Sequence, residues 1–225
     1  MGQKITALLP MKTNSERVKG KNFKILGNKP LYSWILDSLL ENDAITKVII
    51  NTDARDILIE SGLVESDRVV IRDRKPELCG DFVSMNLILE DDIANVDSDI
   101  YLMTHTTNPL LSAQTIQAAI DAFNATDDYD SLFTVNKIQT RFYDSDVRPI
   151  NHDPDNLIRT QDLTPWFEEN SCMYLFTKES FAKTKARIGE KPMMFTTPGI
   201  ESVDIDEPED WYIASALAEK MIREE

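Results

Sequence analysis

The chain has 225 residues, 42% of them hydrophobic, and a formal net charge of −15 at pH 7. A surface this acidic repels nucleic acid and anionic membranes, so neither is an expected partner, and any anion the protein binds needs a local basic site. The length suits one compact α/β domain, residues 1–225, rather than two small ones.

The first apolar run, Ile5 to Pro10, reads as a strand and leads directly into "MKTNSERVKGKNF". Pro30 to Leu40 reads as a helix, Lys47 to Thr52 as a strand, Arg55 to Gly62 as a helix ended by glycine, and Val69 to Arg72 as a strand. A helix from about Val83 to Ile93, a strand from Ile100 to Thr104, a helix after Ser112 through Phe123 and a strand from Ser131 to Val135 continue the alternation. Short Val- and Ile-rich runs separated by helix-length amphipathic stretches are the rhythm of βαβ units. They predict a mostly parallel sheet with helices on both faces. Residues 137–169 break the rhythm: they are polar, contain Pro149, Pro154 and Pro165, and lack a period, so they read as an inserted arm. Strands at Met173 to Thr177, Met193 to Thr196 and Ser202 to Ile205 follow, and an amphipathic helix from Glu209 to Ile222 closes the pattern.

The two cysteines, Cys79 and Cys172, lack metal-type spacing, which argues against a zinc site or a disulfide framework and fits a reducing compartment. The opening Met-Gly-Gln-Lys runs into a strand too short for a signal-peptide core, and no apolar run approaches membrane length. A cytoplasmic protein is the expectation.

Lys12, Arg17, Lys19, Lys21 and Lys24 fall within thirteen residues, where the 24 lysines and arginines of the chain would place one or two. The cluster follows the first strand, and in open parallel sheets ligands bind beyond the carboxyl ends of the strands. A phosphate-binding loop with a tight turn at Gly20 is therefore one reading; a solvated basic loop is the other. Neither the Walker A pattern nor G-x-G-x-x-G is present. In "ESVDIDEPEDW" a short strand would place Asp204 and Asp206 on one face, where two carboxylates can hold Mg²⁺. Asp206 is equally placed to cap the last helix. Asp53 in "INTDAR" suits a helix cap, Arg74 in "RDRKPELCGD" suits a nucleotide contact or a pair with Glu77, and "MTHTTNPLL" puts His105, Thr106, Thr107 and Asn108 at the end of the fourth strand. Two histidines offer no Ser-His-Asp or Cys-His arrangement. A polyphosphate loop with metal-binding carboxylates points instead to nucleotidyl or phosphoryl transfer.

In order along the chain, "PMKTNSERVKGKN", "NTD", "RKPELCGD", "THTTNPL", "QDLTPWFEENS" and "SVDID" resemble the landmarks of the acylneuraminate cytidylyltransferases, with CMP-Kdo synthetases as more distant relatives. The resemblance implies a Rossmann-like three-layer nucleotidyltransferase fold and a dimer in which an arm reaches into the partner. It also implies Mg²⁺-dependent transfer of CMP from CTP to an acidic sugar, with pyrophosphate leaving, for surface glycan synthesis. By position, Lys12, Ser15, Asn22, Arg74 and Asp81 would bind the nucleotide. Lys21, Asp204 and Asp206 would be catalytic, the two aspartates holding the metal. His105, Thr107, Gln161 and Asn170 would meet the acceptor.

Several positions depart from the family pattern. Glu16 replaces a lysine, His105 a glutamine, Leu111 an arginine and Glu168 an arginine that helps hold the sugar carboxylate. Arg17 and Lys19 fall outside the expected CTP positions. The nucleotide half of the pattern is better kept than the acceptor half, where Arg141, Arg148 or Arg159 would have to supply the missing cation. Two other readings are a GT-A-like glycosyltransferase, whose D-x-D belongs at mid-chain rather than near the C-terminus, and a non-catalytic nucleotide-binding homologue.

Overall fold

The computed structural model describes residues 3–13, 15 and 17–224, so Glu16 lies outside the described residues. Strand β1 (Ile5–Leu8) is buried along its whole length and is an interior strand of a seven-stranded sheet. The basic loop follows, then a two-residue-per-strand hairpin, β2 (Ile25–Leu26) and β3 (Lys29–Pro30), and helix α1 (Leu31–Leu40). Strand β4 (Ile45–Thr52), helix α2 (Arg55–Glu60), strand β5 (Val69–Asp73), helix α3 (Met85–Asn95) and strand β6 (Ile100–Thr104) come next. Helix α4 (Ala113–Asn124) leads to strand β7 (Ser131–Ile138), strand β8 (Trp166–Thr177), helix α5 (Lys178–Thr184), strand β9 (Pro192–Thr196) and helix α6 (Asp210–Glu224).

The sheet order is β5-β4-β1-β6-β8-β7-β9. Pairs β5–β4, β4–β1, β1–β6 and β7–β9 are parallel, and β8 runs antiparallel to both β6 and β7. After β1 the chain adds β4 and β5 on one side, then crosses to place β6 on the other. The carboxyl ends of β1 and β6 therefore meet at a topological switch point, where α/β sheets bind ligands.

Alternation along the strands divides the core. Ile5, Ala7, Val48, Ile50 and Leu102 pack with Ile35 and Leu39 of α1 and Ile116 and Ile120 of α4. Leu8, Ile49, Tyr101 and Met103 pack on the opposite side with Leu89 and Ile93 of α3 and Phe181 of α5. Side-chain caps at Ser84, Ser112 and Thr177 start α3, α4 and α5, each hydroxyl accepting from a first-turn N–H.

A third apolar cluster brings distant segments together. Val18 of the basic loop, Leu26, Trp34, Leu110 and Ile205 pack with Trp211, Ala214 and Ala218 of α6. Gly27 makes this contact feasible: its φ is +62°, and a Cβ there would stand 2.8 Å from Ile222 and 3.3 Å from Trp34.

Three sequence expectations change. Residues 202–205 form no strand, because the segment has no ladder partner. It is fixed instead by one backbone bond, Ile205 N–H to Thr107 O at 2.8 Å, and by burial of Ile205 in the third cluster. The arm is also shorter than expected. β7 continues to Ile138 and β8 begins at Trp166, with Val135 to Ile138 paired against Glu169 to Trp166, so the irregular segment covers only 139–165. The polar outward residues of this two-stranded extension had masked its strand character. Finally, Asp206 lies four residues before α6 and does not cap it. Asp210 is the carboxylate that works there, accepting from the N–H groups of Asp206 and Glu207 at 2.9 and 2.7 Å.

Candidate active site

A cavity of about 390 Å³ opens at the carboxyl ends of β1 and β6. Its walls carry nine of the residues singled out from the sequence: Lys12, Ser15, Lys21, Asn22, Arg74, Asp81, His105, Thr107 and Asp206. Val83, Met85 and Ile88 supply an apolar side, a contribution that no motif announced.

Each polar wall residue has a structural reason for its place. Gly20, with φ +60°, turns the chain into the single 3₁₀ turn Lys21–Phe23, as the tight-turn reading of the loop requires. Lys21 is nearly buried, donates to the carbonyl of Ile205 at 2.6 Å, and lies 3.4 Å from Asp206 Oδ1. It therefore joins the basic loop to the D-I-D segment. Asn22 donates to Lys12 O at 2.8 Å and accepts from the Thr106 hydroxyl at 2.7 Å, so its amide braces the loop against the end of β6. Lys12 forms an ion pair with Asp81. Asp53, expected as a cap for α2, instead accepts from the Thr13 N–H at 2.7 Å and the Thr13 hydroxyl at 3.0 Å, anchoring the loop from β4.

Arg74 does not pair with Glu77. Its Nε donates to Asn51 Oδ1 at 3.0 Å, and one terminal nitrogen donates to the carbonyls of Asn51 and Met11 at 2.7 and 3.0 Å. Burial lowers its pKa, partly offset by the carboxylates of Asp53 and Asp92. The Asn51 amide is oriented from behind: its Nδ2 donates to buried Asp92 at 2.8 Å, and Asp92 also accepts from Arg72 at 2.6 Å. Burial pushes the Asp92 carboxyl up to about 6, against the opposing effects of Asn51 and Arg72.

Arg17, which the family pattern leaves outside the nucleotide positions, lines the cavity. It pairs with Asp206 at 3.2 Å and Glu207 at 2.9 Å. Only the fold brings position 17 to position 206, through the cluster that unites Val18 with Ile205. Lys19 is exposed and is not part of the wall.

Asp204 lies outside the cavity wall but close to it. Burial raises its pKa and the Asp206 charge raises it further, opposed by a hydrogen bond from Thr107. The alternation expected of a strand survives without one, with Ile205 fully buried between two more accessible aspartates.

Gln161 and Asn170 do not join this wall. Gln161 sits in the arm, where its carbonyl accepts from Gln139 at 3.0 Å. Asn170 donates to Asn136 at 2.9 Å and Thr197 at 2.7 Å, tying β8 to its neighbours. The three arm arginines have partners within the arm, although the buried Nε of Arg141 has none among the described residues. Arg141 donates to Ile158 O at 2.6 Å, Arg148 pairs with Asp146 at 2.7 Å, and Arg159 grips Asp162 at 2.7 and 3.1 Å. Leu111 is a fully buried core residue, and Glu168 accepts from Asn136 at 3.1 Å.

The sequence missed Arg187, which follows α5. Its guanidinium stacks 3.9 Å above the Tyr174 ring and lies 3.4 Å from His105 Nε2. Burial first, and the Arg187 charge second, lower the His105 pKa to about 4, so this imidazole is neutral at pH 7 and its Nε2 accepts from Arg187.

A basic, partly apolar cavity at the switch point of a mostly parallel sheet, closed by a carboxylate-bearing segment, defines an α/β protein of the Rossmann-like nucleotidyltransferase class. Solved structures agree on the fold. A CMP:2-keto-3-deoxy-manno-octonic acid synthetase complexed with CTP superposes with TM-score 0.69 over 99% of this chain and 100% of its own, at 13% identity.

The chain belongs to the cytidylyltransferase family, whose profile matches residues 6–220. It is 26% identical to CMP-N,N'-diacetyllegionaminic acid synthase of Legionella pneumophila, covering 96% of this chain and 97% of the relative. It is 23% identical to N-acylneuraminate cytidylyltransferase of Streptococcus agalactiae over 91% of this chain, but spans only 51% of that relative's length.

Proposed function

We propose that the protein transfers CMP from CTP to an acidic sugar of the nonulosonic acid type, releasing pyrophosphate. The observation that carries this reading is local charge. In a chain of net charge −15, the cavity wall holds, among the described residues, four cations, Lys12, Arg17, Lys21 and Arg74, against two carboxylates, Asp81 and Asp206. A polyphosphate is the ligand this reversal suits. Family membership and the named substrates of the relatives support the choice of CTP and a sugar acid.

In the proposed reaction the acceptor hydroxyl oxygen bonds to the α-phosphorus of CTP. The bond from that phosphorus to its bridging oxygen breaks, pyrophosphate leaves with the electron pair, and the hydroxyl proton is released. Arg74 is fixed by neutral carbonyls and an amide, and Lys21 by the Ile205 carbonyl with Asp206 at 3.4 Å shared between it and Arg17, so these cations can offset the negative charge that builds on the leaving group.

Asp204 and Asp206 suit Mg²⁺. Their mutual repulsion contributes to the raised pKa of Asp204, and a cation would relieve it. Among the described residues no third His, Cys, Asp or Glu joins them. That fits an ion bound by one or two carboxylates and completed by phosphate oxygens and water. When bound, Mg²⁺ would neutralise phosphate charge and lower the pKa of a coordinated hydroxyl.

The proposed assembly is a cytoplasmic homodimer. Val147, Leu157, Trp166 and Phe167 leave large apolar surfaces exposed on the arm and its base, and a second copy would cover them and bring Gln161 to the neighbouring subunit. Cys79 and Cys172 are both free, in keeping with a reducing compartment. No helix among the described residues is long and apolar enough to cross a membrane.

The test is pyrophosphate release from CTP, with ATP, GTP and UTP as controls, in the presence of N-acetylneuraminic acid, legionaminic acid, pseudaminic acid and 3-deoxy-manno-octulosonic acid. CTP-selective release dependent on one sugar acid and on Mg²⁺ is expected. Nucleotide binding without release for any acceptor would leave the non-catalytic homologue as the better reading.

A further inference from the structure

A second cavity, of about 270 Å³, adjoins the nucleotide cavity, and Met85 lines both. Its walls include Asn86, Glu169, Arg187 and Ile188, with Arg187 the one cation among them. The Arg187 side chain retains 21% exposure. It is also held rigidly, with its face on Tyr174 and one terminal nitrogen directed at His105.

Among the described residues, the Nε and the other terminal nitrogen of Arg187 make no hydrogen bond; the nearest carboxylate oxygen is Glu169 Oε1, at 3.8 Å. That oxygen already accepts the Tyr174 hydroxyl proton. The parallel N–H donors along this edge of a guanidinium match the two oxygens of a carboxylate.

We infer that Arg187 is the acceptor carboxylate anchor of this chain, and that the cavity between Arg187, Glu169 and Met85 seats a carboxylate-bearing polyhydroxylated ligand. This rests on the cytidylyltransferase reading for the ligand's role as acceptor, and on geometry alone for the anchor. The anchor has moved from β8, where Glu168 stands, to the segment after α5. A carboxylate on Arg187 would lie in the cavity that shares Met85 with the nucleotide cavity, beside His105, which lines the latter. Glu169 remains to accept from a ligand hydroxyl or amide N–H. Neutral His105 leaves the positive charge of Arg187 available to the ligand.

The experiment is calorimetric titration of N-acetylneuraminic acid, legionaminic acid and 3-deoxy-manno-octulosonic acid, and of their methyl esters, into protein saturated with CTP but free of divalent metal. Wild type is expected to bind at least one free acid and to lose tenfold or more on esterification. Arg187→Gln, which keeps the side chain over Tyr174, should bind acid and ester equally weakly, with CTP affinity within about twofold of wild type. Arg187→Lys should recover part of the preference for the acid.

An Arg187→Gln protein that still prefers the acid overturns the assignment, as does wild-type protein that binds none of these acids. If the acid binds through Arg187 but no pyrophosphate appears when Mg²⁺ is restored, the anchor stands and the transferase reading falls.

Discussion

The two halves of the molecule treat their cations differently. On the nucleotide side, Lys21 and Arg74 are tied mainly to backbone carbonyls and an asparagine amide at the ends of central strands. Such partners fix position without cancelling charge. In the arm, Arg148 and Arg159 meet carboxylates two to four residues away in sequence, Asp144, Asp146 and Asp162, on an irregular segment. Exposed pairs of that kind contribute little to stability and leave little charge for a ligand. A cation that serves a site is one whose neighbours are mainly polar but neutral, and Arg187 approaches that condition through a neutral imidazole and a tyrosine face, with Glu169 Oε1 standing off at 3.8 Å.

The sharpest way to break this comparison is to remove Lys21. Lys21→Ala should lower turnover by ~100-fold or more, the scale of losing one preorganised donor to transition-state charge. It should also cost about 1–3 kcal/mol of stability, because the buried Ile205 carbonyl loses its partner. Steady-state kinetics and urea denaturation would measure the two effects. A stability loss with unchanged turnover would make Lys21 only a brace.

Asp206→Ala should reduce Mg²⁺-dependent turnover by an order of magnitude or more while leaving CTP binding in the absence of metal equal or tighter, since Arg17 and Lys21 are released from their shared carboxylate. Weaker metal-free CTP binding would contradict that account. Asn51→Ala removes one of the three acceptors of Arg74 and its link to Asp92. A rise of about tenfold in KM for CTP with little change in kcat is expected if this costs roughly 1.4 kcal/mol of uniform binding. The opposite split would give Arg74 a role confined to the transition state.

The smallest effect is in pH dependence, and its sign separates the two groups involved. The folded pKa of His105 is depressed to about 4, so its contribution to stability is present above the ordinary histidine range near 6.5 and is lost as pH falls toward 4. The folded pKa of Asp92 is raised from 3.8 to about 6, so its contribution is present below about pH 4 and is lost as pH rises through 6. The two oppose each other between pH 4 and 6. Relative to wild type, Asp92→Asn should make the melting temperature climb more steeply across this interval, and His105→Gln should make it climb less steeply or fall. Equal slopes in all three proteins would refute both shifts.

Much of the parallel half was legible because its signals are local. Strand Ile100–Thr104 and the helix after Ser112 follow from continuous apolar runs, a 3.6-residue period and a capping hydroxyl, and the structure places them at those positions. The β7–β8 extension was not legible. On β8 its residues Trp166 to Glu169 are exposed on both faces, so pairing with β7 rather than a hydrophobic pattern makes that segment a strand. Most residues singled out by motif order line the first cavity. Arg17 was read as part of the basic loop but set outside the expected CTP positions, and Arg187 was missed because it lies far in sequence from His105 and Tyr174.

The sequence by itself determined the class of fold, the basic loop after the first strand and the acidic pair near the last helix, because periodicity and charge clustering act over a few residues. Only the tertiary structure decided that Val18 and Ile205 share one apolar cluster, so that Lys21 and Arg17 meet Asp206 across more than 180 positions. It also decided that Arg187, which follows α5, lies against Tyr174 and His105. Burial of apolar side chains brings distant segments together, and that burial is a property of the packed core which no short stretch of sequence carries.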